Sequence, residues 1–153
     1  MKICLVASSG GHLEELAFVK YINMDYDCFL ITEKVSELNE KFCDKVYFVD
    51  QINRKERFAF FKVLRLFLVG VRILHTEKPD CFISTGALIS IPILILGKLS
   101  RKKVIFIETF ARVESGSISG KIAYYFADLF IVYWKNLLKI YPKAVYINPF
   151  EER

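Results

Sequence analysis

Two histidines occur in this chain, and one of them stands where its chemistry would be useful. The run Ser8-Ser9-Gly10-Gly11-His12 follows the apolar stretch Ile3-Cys4-Leu5-Val6-Ala7 and precedes Leu13-Glu14-Glu15-Leu16, where a helical pattern begins. A strand that breaks at two glycines and restarts as a helix gathers hydroxyls, an imidazole and unpaired amides at a helix N-terminus, a setting that favours anions. An imidazole there is able to take a proton near neutral pH. On this reading His12 is a base and Ser9, Gly10 and Gly11 cradle a phosphate or sugar. The alternative is a tight turn in which His12 merely caps the helix. The loop is neither the dinucleotide fingerprint, since no third glycine follows and position 14 is Glu, nor a P-loop, since no Gly-Lys-Ser/Thr follows.

Two further polar, glycine-bearing loops end apolar runs. One is Ser84-Thr85-Gly86-Ala87; the other runs from Glu108 to Gly116. Glu108 is an acid at the end of a buried strand, suited to act as a general base or to bind sugar hydroxyls. Arg112, four residues on, suits bidentate contact with a diphosphate or with Glu108 itself. The alternative is a structural Glu–Arg pair that fixes the loop. Ser115 adds a hydroxyl, and Ser117 reads as a helix cap.

The elements that must position these loops alternate along the chain. Strand candidates are Lys2–Ala7, Asp27–Thr32, Lys45–Val49, Asp80–Ser84, Lys103–Ile107, Leu129–Tyr133 and Ala144–Ile147. Helical stretches lie between them at Leu13–Tyr21, Val35–Lys41, Arg57–Thr76, Ile89–Leu99, Ser117–Phe126 and Asn136–Ile140. Continuous apolar strands separated by helices predict an α/β fold, a doubly wound, Rossmann-like, mostly parallel sheet covered on both faces. In such sheets ligands bind beyond the carboxyl ends of the strands, where all three loops fall.

The helix within Arg57–Lys78 is apolar almost all round, more so than packing on one sheet face requires. Lys62, Arg65 and Arg72 form a basic stripe on it, and no acid falls between Arg57 and Thr76. An aromatic, basic helix of this kind suits the interface of an anionic membrane, with Phe58, Phe61, Lys62, Arg65, Phe67 and Arg72 as its contacts. The alternative is a helix buried against another protein.

Composition sets the outer bounds. At 153 residues the chain suits one domain, residues 1–147, followed by a loose tail at 148–153. Hydrophobic residues make up 54%, which points to apolar surface shared with a membrane or a partner. The net charge of +5 suits an anionic partner, but not nucleic acid, because the basic residues lie among Phe and Leu. Cys4, Cys28, Cys43 and Cys81 form no CxxC pair or metal-type cluster, so buried thiols in a reducing cytoplasm are expected, and no metal. No signal peptide is visible, and the uncharged run Cys81–Gly97 is interrupted by Ser84-Thr85-Gly86 and Pro92, as a strand and buried helix would be.

Three motifs in order carry a resemblance over essentially the whole chain: Ser9-Gly10-Gly11-His12; Ser84-Thr85-Gly86-Ala87 with Pro92; and Glu108-Thr109-Phe110-Ala111-Arg112-Val113 with Ser115, Ser117 and Gly120-Lys121. Asp128-Leu129-Phe130 with Trp134 adds a fourth, although Tyr133 stands where such sequences usually have Gln. With these, the chain resembles the acceptor-side, membrane-associated subunits of split GT-B glycosyltransferases. These include the anchoring subunit of the eukaryotic dolichol-pathway N-acetylglucosamine transferase and bacterial capsule and exopolysaccharide relatives. More distantly it is similar to the N-terminal half of MurG.

The resemblance implies a domain equivalent to the N-terminal half of a GT-B enzyme, bound peripherally to the cytoplasmic face of the cell membrane. It implies half of a heteromeric inverting transferase, inactive alone, that serves capsule or exopolysaccharide synthesis. A donor-binding partner subunit would hold the UDP-sugar, and this chain, with no cofactor of its own, would hold a polyprenyl-diphosphate-linked saccharide. His12 and Glu108 would be catalytic; Ser9, Gly10, Gly11, Thr85, Gly86, Arg112 and Ser115 would bind acceptor or phosphate. Two rivals remain: a non-catalytic membrane scaffold that enhances a transferase, and a stand-alone flavodoxin-like nucleotide-binding protein.

Overall fold

The computed structural model describes residues 1–16, 25–34, 43–52 and 59–148. All seven apolar runs form strands: β1 (Lys2–Val6), β2 (Asp27–Glu33), β3 (Lys45–Val49), β4 (Cys81–Ser84), β5 (Lys103–Ile107), β6 (Leu129–Val132) and β7 (Val145–Tyr146). They pair in parallel in the order β3-β2-β1-β4-β5-β6-β7. This is the dinucleotide-type, Rossmann-like winding. The flavodoxin-like rival fails here, because that layout needs the order 2-1-3-4-5.

Among the described residues four α-helices flank the sheet: α1 (Gly11–Leu16), α2 (Ala59–Glu77), α3 (Ser90–Leu99) and α4 (Ile118–Ala123), with a 3₁₀ turn at Lys135–Lys139. The helix expected at Val35–Lys41 and the end of the one expected at Leu13–Tyr21 lie outside the described residues. The helix expected over Ser117–Phe126 is shorter. Ser117 caps it, its hydroxyl accepting from the Gly120 amide at 2.8 Å, and turns follow Ala123.

Strand side chains alternate between two cores, as a period of two requires. Cys4, Val6, Phe29, Ile31, Phe82, Val104 and Phe106 face α2, α3 and α4, meeting Leu66, Ile73, Ile93, Leu94 and Ala123. Ile3, Leu5, Ala7, Leu30, Ile83 and Ile107 face the other way, with Leu16 of α1. All four cysteines are buried, and none is in a disulfide.

Helix α2 crosses from the β3 edge back to β4. Leu66, Gly70, Ile73 and Glu77 point inward at helical spacing. Its far end is tied down at the amino edge of the sheet: the buried Glu77 carboxylate accepts from Lys2 Nζ at 2.7 Å, and from Lys45 and the Tyr47 hydroxyl. These donors hold the carboxyl well below its ordinary value, at about 2. The outward face is apolar. Phe60 and Phe61 are 74% and 65% exposed, and Leu64, Leu68 and Val71 continue the stripe.

The interface residues expected on α2 are only partly on that face. Phe58 lies outside the described residues; Phe61, Arg65 and Arg72 are exposed, whereas Phe67 is half-buried. The basic stripe is also less free than the helix sequence implies, because acceptors reach it from the end of β3. Arg65 pairs with Asp50 at 2.9 Å and Lys62 donates to the Gln51 carbonyl at 3.1 Å. Among the described residues no helix is long and apolar enough to cross a membrane.

Candidate functional site at the strand switch point

The strand order reverses between β1 and β4. The chain leaves β1 towards β2 on one side and leaves β4 towards β5 on the other, which opens a crevice at their carboxyl ends. Gly10 starts α1: at φ +80° its carbonyl accepts from the Leu13 and Glu14 amides at 2.8 and 3.1 Å. The helix start therefore does not use His12 as a cap. Instead its ring crosses the crevice, with Nδ1 at 2.9 Å from the Thr85 carbonyl, and Thr85 Oγ1 donates back to the His12 carbonyl at 2.6 Å.

A carbonyl oxygen only accepts, so this contact assigns the ring hydrogen to Nδ1 and leaves Nε2 as the lone-pair nitrogen. The side chain keeps 28% of its surface exposed. Gly86 makes the room. Its φ is +121°, and a Cβ built there would lie 2.9 Å from His12 Cε1 and 3.1 Å from Nδ1. Ala87 follows at φ +75°, so the β4 loop holds two successive residues with positive φ beside the imidazole.

Glu15 joins this site from one turn further along α1. Its Oε1 accepts from the Thr109 hydroxyl at 2.6 Å and the Phe110 amide at 3.0 Å, which ties α1 to the loop after β5. Its Oε2 is buried, accepts no hydrogen bond among the described residues, and lies 3.7 Å from His12 Nδ1. The Glu15 carboxylate raises the His12 pKa above its ordinary 6.5, against the opposing effect of burial. In the sequence Glu15 passes for one more acid in a helical stretch. Its spacing of three from His12 was the available signal, since such a pair shares a helix face.

Glu108 has a different place from the one expected. It is fully buried, and both oxygens are occupied: Oε1 by the Thr109 amide at 3.0 Å, Oε2 by the Ser117 amide at 3.0 Å and the Tyr141 hydroxyl at 2.9 Å. A Cβ on Gly120 would meet Oε2 at 2.0 Å, so the carboxylate is walled in by α4. It closes the 108–117 loop and presents no oxygen to the crevice. Nor does it pair with Arg112, which is exposed and donates to Ser115 at 3.4 Å.

The other expected residues divide similarly. The Ser9 hydroxyl is turned towards β2, donating to Glu33 at 3.3 Å, and the Thr85 hydroxyl is spent on the His12 carbonyl. Phe110 packs at a tilt between Tyr133 and Trp134, and its carbonyl accepts from the indole at 2.8 Å, which sets an aromatic group beside Glu15. Among the described residues no group of His, Cys, Asp or Glu is placed to hold a metal ion.

A Rossmann-like sheet of this order is shared with solved enzymes of GT-B shape. The chain matches MurG from Acinetobacter baumannii with a TM-score of 0.70 at 17% identity, over 88% of this chain and 42% of that one. It matches UDP-GlcNAc 2-epimerase from Methanocaldococcus jannaschii with a TM-score of 0.69 at 13% identity, over 96% and 45%. In both cases it spans less than half of the solved enzyme, and the likeness is one of fold.

Sequence carries the assignment further. Residues 3–150 match the family described as oligosaccharide biosynthesis protein Alg14 like, and this chain belongs to that family. The human UDP-N-acetylglucosamine transferase subunit ALG14 is 30% identical over 178 residues, spanning 97% of this chain and 82% of the human one. Its name speaks of a transferase subunit and not of capsule or exopolysaccharide synthesis, so that narrower expectation gains no support from it.

Proposed function

We propose that this chain is the acceptor-side subunit of a two-component, inverting UDP-N-acetylglucosamine transferase, completed by a donor-binding partner. The observation that carries this is the His12 ring, fixed through Nδ1 at the switch point with Nε2 as its basic nitrogen. An acceptor hydroxyl placed at Nε2 gives up its proton there while its oxygen attacks the anomeric carbon of the UDP-sugar. The bond from that carbon to the diphosphate oxygen breaks, and UDP leaves with the electron pair from the partner's side of the cleft. One displacement of this kind inverts the anomeric centre.

The acceptor is a saccharide on a polyprenyl diphosphate. Gly10 and Gly11 let its diphosphate approach backbone amides, while Arg112 and Ser115, exposed on the same edge, bind phosphate or sugar. Glu108 supports the loop rather than the chemistry. The outward face of α2 rests peripherally on the anionic, cytoplasmic face of a membrane, where the lipid-linked acceptor resides.

The test is sugar transfer to a polyprenyl-diphosphate acceptor by the reconstituted pair. His12→Ala should lower kcat by about 10²–10⁴-fold, the usual worth of a general base. Wild-type activity should fall at acid pH with a midpoint above 6.5, because the Glu15 carboxylate favours the protonated ring. Full activity of His12→Ala beside its partner would leave the scaffold reading in place.

A further inference from the structure

The contacts of Glu15 have no explanation in helix stability alone. It reaches across 94 residues to the Thr109 hydroxyl, and 95 to the Phe110 amide, with one oxygen only. The other oxygen is shut away from solvent, accepts nothing among the described residues, and faces the His12 ring at 3.7 Å. Burying a carboxylate oxygen without a donor is costly unless a positive charge comes to it. His12 supplies one whenever Nε2 takes a proton.

We infer that Glu15 is the positioning residue of His12: anchored by Thr109 and Phe110, it holds its free oxygen beside Nδ1 and stabilises the imidazolium formed when Nε2 accepts the acceptor's proton. This deepens, and rests on, the reading of His12 as the base. No bond to Glu15 forms or breaks. The hydrogen stays on Nδ1, directed at the Thr85 carbonyl, and at 3.7 Å the carboxylate acts by charge. The neighbouring groups do not take over this task. Glu108 also favours the charged ring, but from a carboxylate whose oxygens are occupied, and Tyr133, which faces Glu15 from the end of β6, is held neutral by burial and by that same carboxylate. The arrangement also explains why an acid on α1 is tied to the loop after β5. Once both loops are clamped, the ring nitrogen and its counter-charge keep a fixed separation while the acceptor enters.

With two histidines in the chain, the test is direct. ¹⁵N and ¹³C resonances of the imidazoles are followed against pH in the full-length protein without partner or substrate, for wild type, E15Q and E14Q. The wild-type His12 signal should report a neutral ring with its hydrogen on Nδ1 and a titration midpoint above 6.5. In E15Q, which keeps an acceptor oxygen for Thr109 and Phe110, that midpoint should drop, while E14Q, at the exposed neighbouring position, should leave it in place. Should E15Q not fold, E15D keeps the charge but draws it back by one methylene, and a lowered midpoint is again expected.

With the partner and acceptor present, E15Q should lower kcat at least tenfold at neutral pH with KM unchanged, and move the acid limb of the pH profile to lower pH. An unmoved His12 midpoint in the folded Glu15 variant, or equal shifts in E15Q and E14Q, would overturn the inference. Because the resonance titration needs no turnover, failure of the transferase reading shows itself separately, as activity that survives His12→Ala.

Discussion

Gly86→Ala is the smallest change that should disarm the crevice, and its size follows from two distances and one angle. The new methyl would sit 2.9 Å from His12 Cε1 and 3.1 Å from Nδ1, close enough that the ring must shift. The backbone offers no relief, since φ +121° is a conformation that an L residue rarely adopts. Holding Ala there costs about 1–3 kcal/mol of backbone strain. Displacing the ring loses the 2.9 Å bond to the Thr85 carbonyl, worth about 0.5–1.5 kcal/mol. The expected loss is therefore roughly 2–4 kcal/mol, measurable by urea unfolding with m unchanged. Activity should fall further than stability explains: about a hundredfold or more in kcat at a temperature where the variant is fully folded. The His12 resonances should shift, while signals from the β6–β7 end stay in place. A folded Gly86→Ala protein with wild-type stability and unmoved His12 signals would show that the ring does not depend on this glycine.

Two other consequences concern regions away from the crevice. Lys2, Lys45 and Tyr47 hold the Glu77 carboxyl at about 2 against an ordinary 4.5. A depressed carboxyl contributes stability that is complete above its unfolded value and is lost as pH falls towards its folded one. The shift corresponds to about 3 kcal/mol, discounted to roughly 2 because Lys45 is half exposed to water. Urea unfolding of Glu77→Gln should show that deficit at pH 7, narrowing between pH 4.5 and 2; a deficit equally large at pH 2 would point to packing instead. On α2, replacing Phe60, Phe61, Leu64 and Leu68 by Ser should abolish sedimentation with anionic vesicles and leave the urea midpoint nearly unchanged, since these side chains are exposed. Undiminished vesicle binding would remove α2 as the contact.

The sheet was readable because its strands are continuous apolar runs punctuated by Gly, Ser and Asp, and such runs belong to parallel strands buried on both faces. The turn at Gly10 was readable for a related reason: it is made by neighbours in sequence. Glu15 and Glu108 were not. Each is defined by partners far along the chain: Thr109 for the one, Tyr141 and the Ser117 amide for the other. An acid at a strand end looks alike in sequence whether it faces a cleft or is sealed beneath a helix. The stripe on α2 shows the same limit. Its apolar character is local and visible, whereas the pairing of Arg65 with Asp50 comes from the turn after β3.

Helix α2 is uneven along its length, and this bears on how far an acceptor must travel. Nineteen residues at about 1.5 Å each make a rod of roughly 28 Å running from the carboxyl edge of the sheet to the amino edge. The exposed rings of Phe60 and Phe61 stand at the carboxyl-edge end, in the same stretch that Lys62 and Arg65 tie to the end of β3. The opposite end carries Arg72 and His75 and stops at Glu77. If the proposed membrane contact through this helix holds, the exposed rings would meet lipid at the edge where the crevice opens. The diphosphate of a polyprenyl acceptor would then enter the first loop from that same edge.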